Sequence, residues 1–123
     1  MKALLMAVAL VGMLASSGAM AKGADGNELL TQCQSYIKMI DGETNFIAVD
    51  AGACGGFVQG VNSTVQFYSD VLKKEDRFCL SDGVTYAQLG RIVVKYLKDN
   101  PKQLNKDRTA LVWLALIDAY PCK

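Results

Sequence analysis

The sequence predicts an all-α fold, a small four-helix (or four-to-five-helix) domain stapled by two disulfides. Three observations predict it. Apolar residues recur at three- and four-residue steps, and strand-like alternation is nowhere sustained. Four cysteines, Cys33, Cys54, Cys79 and Cys122, stand in a chain of 123 residues. A secretory-type leader precedes them, so they meet an oxidising compartment, where an even count in a small chain reads as a disulfide framework.

The leader decides which residues belong to the folded protein. Lys2 supplies a positive n-region, Ala3 to Ala15 is almost wholly apolar, and Ala19-Met20-Ala21 fits small-x-small cleavage. Residues 1–21 therefore read as a cleaved signal peptide and residues 22–123 as one all-helical domain. A retained N-terminal anchor is the competing reading, but the apolar run is short for a bilayer span and no cysteine stands at the junction for lipidation. The chain carries 13 Lys and Arg against 12 Asp and Glu. Lys2 leaves with the leader, so the domain is neutral, and nothing calls for nucleic acid or, after cleavage, a membrane.

The first helix is expected from Asn27 to Met39, with Asn27 as N-cap and Asp41-Gly42 closing it. Leu29, Leu30, Cys33, Ile37 and Ile40 share its buried face. Glu43 to Gly52 reads as an apolar loop tucked on the core. A second helix is expected from Ala53 to Leu72, on the spacing of Phe57, Val61, Val65, Tyr68 and Leu72. Gly56 and Gly60, one turn apart on it, predict close approach of a neighbouring backbone. Asn62-Ser63-Thr64 matches a glycosylation sequon, which in mid-helix is a weak signal. Thr85 with Gln88 forms a capping box that opens the third helix. Leu89, Ile92, Val93, Tyr96 and Leu97 line its inner face, Arg91, Lys95 and Lys98 its outer face, and Asn100-Pro101 stops it.

The fourth helix begins near Asn105 or Asp107 and runs to Tyr120. It is apolar all round, with Leu111, Leu114, Ala115 and Ile117 on one side and Val112, Trp113, Leu116 and Tyr120 on the other. Such a helix is either central or shared with a second subunit. Sharing is the expectation here, giving a homodimer whose interface holds Val112, Trp113, Leu116 and Tyr120.

The residue inventory argues against catalysis. The chain has no histidine, so a Cys-His pair, a Ser-His-Asp triad and proton shuttling near neutral pH lack their usual base. No CxxC pair exists, and no histidine can complete a mixed metal site. The tightest acidic pair, Glu75-Asp76, lies within Lys73-Lys74-Glu75-Asp76-Arg77, a mixed run that reads as a solvated loop or helix end. Gly52, Gly55, Gly56 and Gly60 make neither a Walker loop nor a dinucleotide fingerprint. The expectation is no enzyme, no cofactor and no metal.

Several segments together carry a resemblance. Gly26-Asn27-Glu28-Leu29-Leu30 with Cys33, Cys54 with Gly56-Phe57-Val58 and Gly60-Val61, and Phe78-Cys79-Leu80-Ser81-Asp82-Gly83-Val84-Thr85 form its first part. Gln88-Leu89, Val93-Val94-Lys95-Tyr96-Leu97, Asn100-Pro101 and Ala119-Tyr120-Pro121-Cys122 complete it. In this order they resemble the Rap/Tai family of type VI secretion immunity proteins over nearly all of residues 22–123. The resemblance implies a helical, disulfide-containing periplasmic protein that commonly dimerises and blocks a cell-wall-degrading effector, of peptidoglycan amidase type in the best-known pairs. Ser81 departs from a proline frequent in the family, and Ser63 from an aspartate.

Inhibition needs a rigid scaffold and a complementary surface, which a histidine-free chain can supply. Loops on a stapled scaffold can enter a partner's cleft, so Lys73, Lys74, Glu75 and Asp76, and the turn holding Asn100, Lys102 and Gln103, are the candidate toxin contacts. A periplasmic stress chaperone and a lysozyme inhibitor are the alternative functions. Helix order sets the expected cysteine pairing. Antiparallel first and second helices bring Cys33 to Cys54, and Cys79 before the third helix meets Cys122 after the fourth. On chain entropy those closures contribute about 3 and about 4 kcal/mol.

Overall fold

The computed structural model describes residues 23–123, so the leader, its cleavage site and the mature N-terminus at Lys22 lie outside the described residues. The described residues form four helices, in the order α1 (Gly26–Ile40), α2 (Ala48–Phe67), α3 (Tyr86–Asp99) and α4 (Arg108–Ala119). Single 3-10 turns span Lys74–Asp76 and Pro101–Gln103. Among the described residues there is no strand, only two isolated antiparallel bridges, Asp25 with Asp107 and Phe78 with Pro121. The all-α expectation holds, and so does the pairing: Cys33 is bonded to Cys54 and Cys79 to Cys122.

The first helix starts one residue before its expected first residue because Asp25, not Asn27, caps it. The Asp25 carboxylate accepts the Glu28 amide at 3.1 Å. The strand-like bridge to Asp107 sets that register, with Arg108 N–H donating to Ala24 O and Gly26 N–H to Lys106 O. Asn27 is left free to cross-link: its Nδ2 donates to Leu104 O at 3.2 Å and to Asn105 Oδ1 at 3.3 Å, tying α1 to the segment before α4. At the far end Asp41 N–H donates to Ile37 O, and Gly42 turns the chain at φ +78°, a left-handed conformation that glycine adopts without steric cost.

The second helix differs most from expectation. It begins and ends five residues early, so half of the apolar loop expected over 43–52 is helix. Local composition argues against helix there, since Gly52, Gly55 and Gly56 each cost about 1 kcal/mol relative to alanine. Tertiary contacts override that. Ala51, Cys54, Val58, Val61 and Val65 are buried at three- and four-residue spacing, and Ile47 N–H donates to Ser35 Oγ of α1 at 3.3 Å. Tyr68 then ends the helix, its amide bonded to Thr64 O, and the chain turns at Ser69-Asp70.

The third helix matches the sequence reading. Gln88 N–H donates to Thr85 Oγ1 at 3.2 Å, and Thr85 N–H donates to Gln88 Oε1 at 2.7 Å. Leu89, Val93 and Leu97 are fully buried while Arg91, Lys95 and Lys98 face out. Arg91 pairs with Asp41 and Lys95 with Asp99, both across exposed surface; each partner raises the cation's pKa, mainly through the side-chain hydrogen bond. Such exposed pairs add little stability.

The core fills the space between all four helices, with α1 packed mainly on α2 and then α3, and α4 mainly on α3. At its centre Tyr36 of α1 lies between two glycines. A Cβ at Gly90 of α3 would stand 2.6 Å from the Tyr36 ring, and one at Gly55 of α2 would stand 3.1 Å away. Close approach thus occurs at Gly55 and Gly90. The expected pair, Gly56 and Gly60, has no neighbour within 4 Å.

Candidate partner-binding surface

The fourth helix positions a surface that the other described residues leave uncovered. Asp107 caps it, its carboxylate accepting Thr109 N–H at 2.8 Å and Ala110 N–H at 3.4 Å; those donors hold the Asp107 pKa below its ordinary value. Leu111, Val112, Ala115 and Leu116 point inward and are buried. Two of the expected dimer residues, Val112 and Leu116, are therefore core residues of a single chain, each 0 % exposed, and cannot form an interface. The all-round apolar pattern reflects an α4 contacted by α1, α2 and α3 together. Trp113 and Tyr120 are half-buried, and Leu114 is exposed.

Trp113 is a ridge between two hollows. On one side a hollow of about 310 Å³ is lined by Gly56, Phe57, Gly60, Val61 and Thr64 of α2 and by Thr109 and Trp113 of α4. On the other, a hollow of about 440 Å³ is lined by Leu72, Asp76, Ala110, Trp113, Leu114 and Ile117. The Arg108 guanidinium lies 4.1 Å from the centre of the Phe57 ring, a cation–π contact at the rim of the first hollow. Where α2 ends, Phe67 (80 % exposed) and Val71 (76 %) extend this apolar surface beyond Thr64 and Leu72. The five-residue error in the end of α2 hides these residues from a sequence reading. An expected helix through Leu72 buries part of a segment that in fact turns outward.

The Lys73–Asp76 loop borders the second hollow. All four side chains are exposed, and the loop is held through its backbone: Asp76 N–H donates to Lys73 O, and Trp113 Nε1 donates to Asp76 O at 2.7 Å. Just beyond it, Cys79 N–H donates to Tyr120 O at 2.9 Å, and the Cys79–Cys122 bond ties the segment to the chain end. The indole therefore fixes the loop while forming the wall of both hollows. The turn with Asn100, Lys102 and Gln103 lies elsewhere, at the N-terminal end of α4 beside α1. Asn100 Nδ2 donates to Tyr96 O at 2.8 Å, Gln103 Oε1 accepts from the Tyr96 hydroxyl at 3.4 Å, and only Lys102 of the three is fully exposed. The two candidate loops do not converge, and two side chains of the second are occupied in holding the turn. In the sequon, Asn62 Oδ1 accepts from Gln66 Nε2 and Thr64 Oγ1 donates to Gly60 O, both within α2.

Among the described residues, no three histidine, cysteine, aspartate or glutamate side chains come together in a way that could hold a metal ion, and both cysteine pairs are closed. What the geometry offers is a fixed loop of mixed charge beside an apolar ridge and two hollows, an arrangement suited to a protein surface. The model of the Rap1a immunity proteins matches residues 25–122. The chain belongs to the Rap1a immunity protein family. The match runs from the Asp25 cap to Cys122, taking in both disulfides, the Trp113 ridge and both candidate loops of this Rap1a-family chain. No curated protein and no solved structure matches the chain. Family membership makes it an immunity protein against a secreted effector, with an inhibitor's role carried out by binding.

Proposed function

We propose that this Rap1a-family protein is exported to the periplasm and there binds and inhibits a type VI secreted, cell-wall-degrading effector of the peptidoglycan amidase class, protecting the producing cell from its own and sister-cell toxin. The family match over residues 25–122 carries this reading. Two disulfides support an oxidising destination, since such bonds are rare where thiols are kept reduced.

The contact surface we assign is the Trp113 side, with Lys73, Lys74, Glu75 and Asp76 as the charged rim and the two hollows as sockets for apolar anchors. Aromatic ridges beside fully desolvated pockets are where protein interfaces concentrate their affinity. Lys102 is a secondary contact at the other end of α4. A homodimer formed over part of the same apolar surface, through Trp113, Leu114 and Phe67 in place of the buried Val112 and Leu116, leaves the charged loop at its rim. Light scattering at micromolar concentration reads two chains per particle if this holds, and one chain rejects the dimer.

Co-purification with a secreted amidase encoded beside this gene tests the function. The expected result is a stoichiometric complex and loss of amidase activity on isolated peptidoglycan. Full amidase activity at saturating immunity protein contradicts the proposal.

A further inference from the structure

The two disulfides occupy opposite environments. Cys33 and Cys54 are each 0 % exposed, enclosed by α1 and α2. Cys79 is exposed and Cys122, the penultimate residue, is half-buried. The segment that Cys79 anchors, between the end of α2 and the start of α3, contains no helix beyond the Lys74–Asp76 turn. It is held by buried Phe78 with its bridge to Pro121, by Leu72, Leu80 and Val84 packed against the core, by the Cys79–Tyr120 hydrogen bond, and by the Trp113 indole on Asp76 O. Beside the bond, Arg77 Nε is buried without a hydrogen-bond partner, a local cost that opening relieves. Cys122 Sγ lies 3.7 Å from Arg77 O, so an acceptor is already in place for the S–H that reduction creates.

We propose that Cys79–Cys122 is a thiol–disulfide exchange site, opened by a dithiol reductant while Cys33–Cys54 stays closed, and that its opening releases the 68–85 segment from Trp113. A thiolate of the dithiol attacks the sulfur of Cys79, the exposed residue of the pair. A sulfur–sulfur bond to the reductant forms, the Cys79–Cys122 bond breaks, and Cys122 leaves as a thiolate that takes up a proton. The second thiol of the reductant then closes on its own partner sulfur and frees Cys79. In balance, two electrons and two protons pass from the dithiol to Cys79 and Cys122, and the dithiol becomes a disulfide. Reaching Cys33–Cys54 instead requires α1 and α2 to separate, a sub-global opening of higher free energy than exposing the bond at Cys79. The proposal does not depend on which effector the protein binds.

Graded dithiothreitol on the purified oxidised protein, with thiol alkylation and peptide mapping, tests it. Cys79 and Cys122 become alkylated about tenfold or more faster than Cys33 and Cys54. With one bond open, helical circular dichroism is retained, while the emission of Trp113, the single tryptophan, shifts as the indole loses Asp76. The double variant Cys79→Ser/Cys122→Ser reproduces that emission without reductant. Equal or reversed alkylation order overturns the proposal, as does a folded Cys79→Ser/Cys122→Ser protein whose Trp113 emission is unchanged. A double variant that fails to fold also overturns it, since the opened state must be stable.

Discussion

Two adjacent glycines, Gly55 and Gly56, serve opposite ends on two sides of α2. On the side facing α1 and α3, Gly55 and Gly90 make room for Tyr36, which fills them from within the chain. On the side facing α4, Gly56 and Gly60 border a hollow that none of the described residues fills, with Trp113 as its far wall. The same residue type is spent on internal packing in one place and on external relief in the other. The first seam determines that the domain folds as it does, and the second determines what the folded domain offers a partner.

Truncating the filler breaks this comparison hardest. Tyr36→Ala removes a ring that is 9 % exposed from between three helices and is expected to cost about 3–5 kcal/mol, read as a lower urea midpoint with the slope preserved. Next comes Gly90→Ala. The new methyl would stand 2.6 Å from the Tyr36 ring, so an overpacking cost of about 1–3 kcal/mol exceeds the helix-propensity gain of about 1 kcal/mol, and the variant melts lower. Trp113→Phe removes the donor to Asp76 O and is expected to cost about 1 kcal/mol, with faster amide exchange confined to 68–85. Gly60→Ala carries the opposite sign to Gly90→Ala. No atom lies within 4 Å of the added methyl, so it stabilises by about 0.5–1 kcal/mol in the same melts.

The smallest effect is electrostatic. Asp107 at the start of α4 has its pKa held below the ordinary value by the Thr109 and Ala110 amides, so its contribution is complete above the ordinary carboxylate range and is lost as pH falls through the lowered value. Asp107→Asn keeps an oxygen for the cap but no charge. It is expected to lower thermal stability slightly near neutrality and to converge with the parent protein in acid, which flattens the acid limb of the stability profile.

The opposite signs expected at two helical glycines also mark how far the sequence is legible. Pattern-borne features could be read directly: the Thr85–Gln88 capping box, the α3 stripe, and both disulfide partners from helix order. The Tyr36 seam could not, because it joins single residues on three helices and leaves no period in the sequence. The start of α2 was hidden by glycines whose local cost is offset by buried Ala51 and Cys54. Val112 and Leu116 of α4 read as interface residues because apolarity records burial without recording what does the burying. As for the candidate site, the charged loop is legible from composition, whereas Trp113 reads as a dimer-interface residue, and its hold on the loop through Asp76 O leaves no mark in the sequence.

Amide hydrogen exchange of this Rap1a-family protein, free and saturated with the amidase encoded beside it, measures directly which seam meets the partner. Added protection is expected across residues 56–76 and 109–117, with the peptides containing Tyr36 and Gly90 unchanged. Protection confined to the α1–α3 face, with residues 56–76 exchanging as in the free protein, contradicts the account.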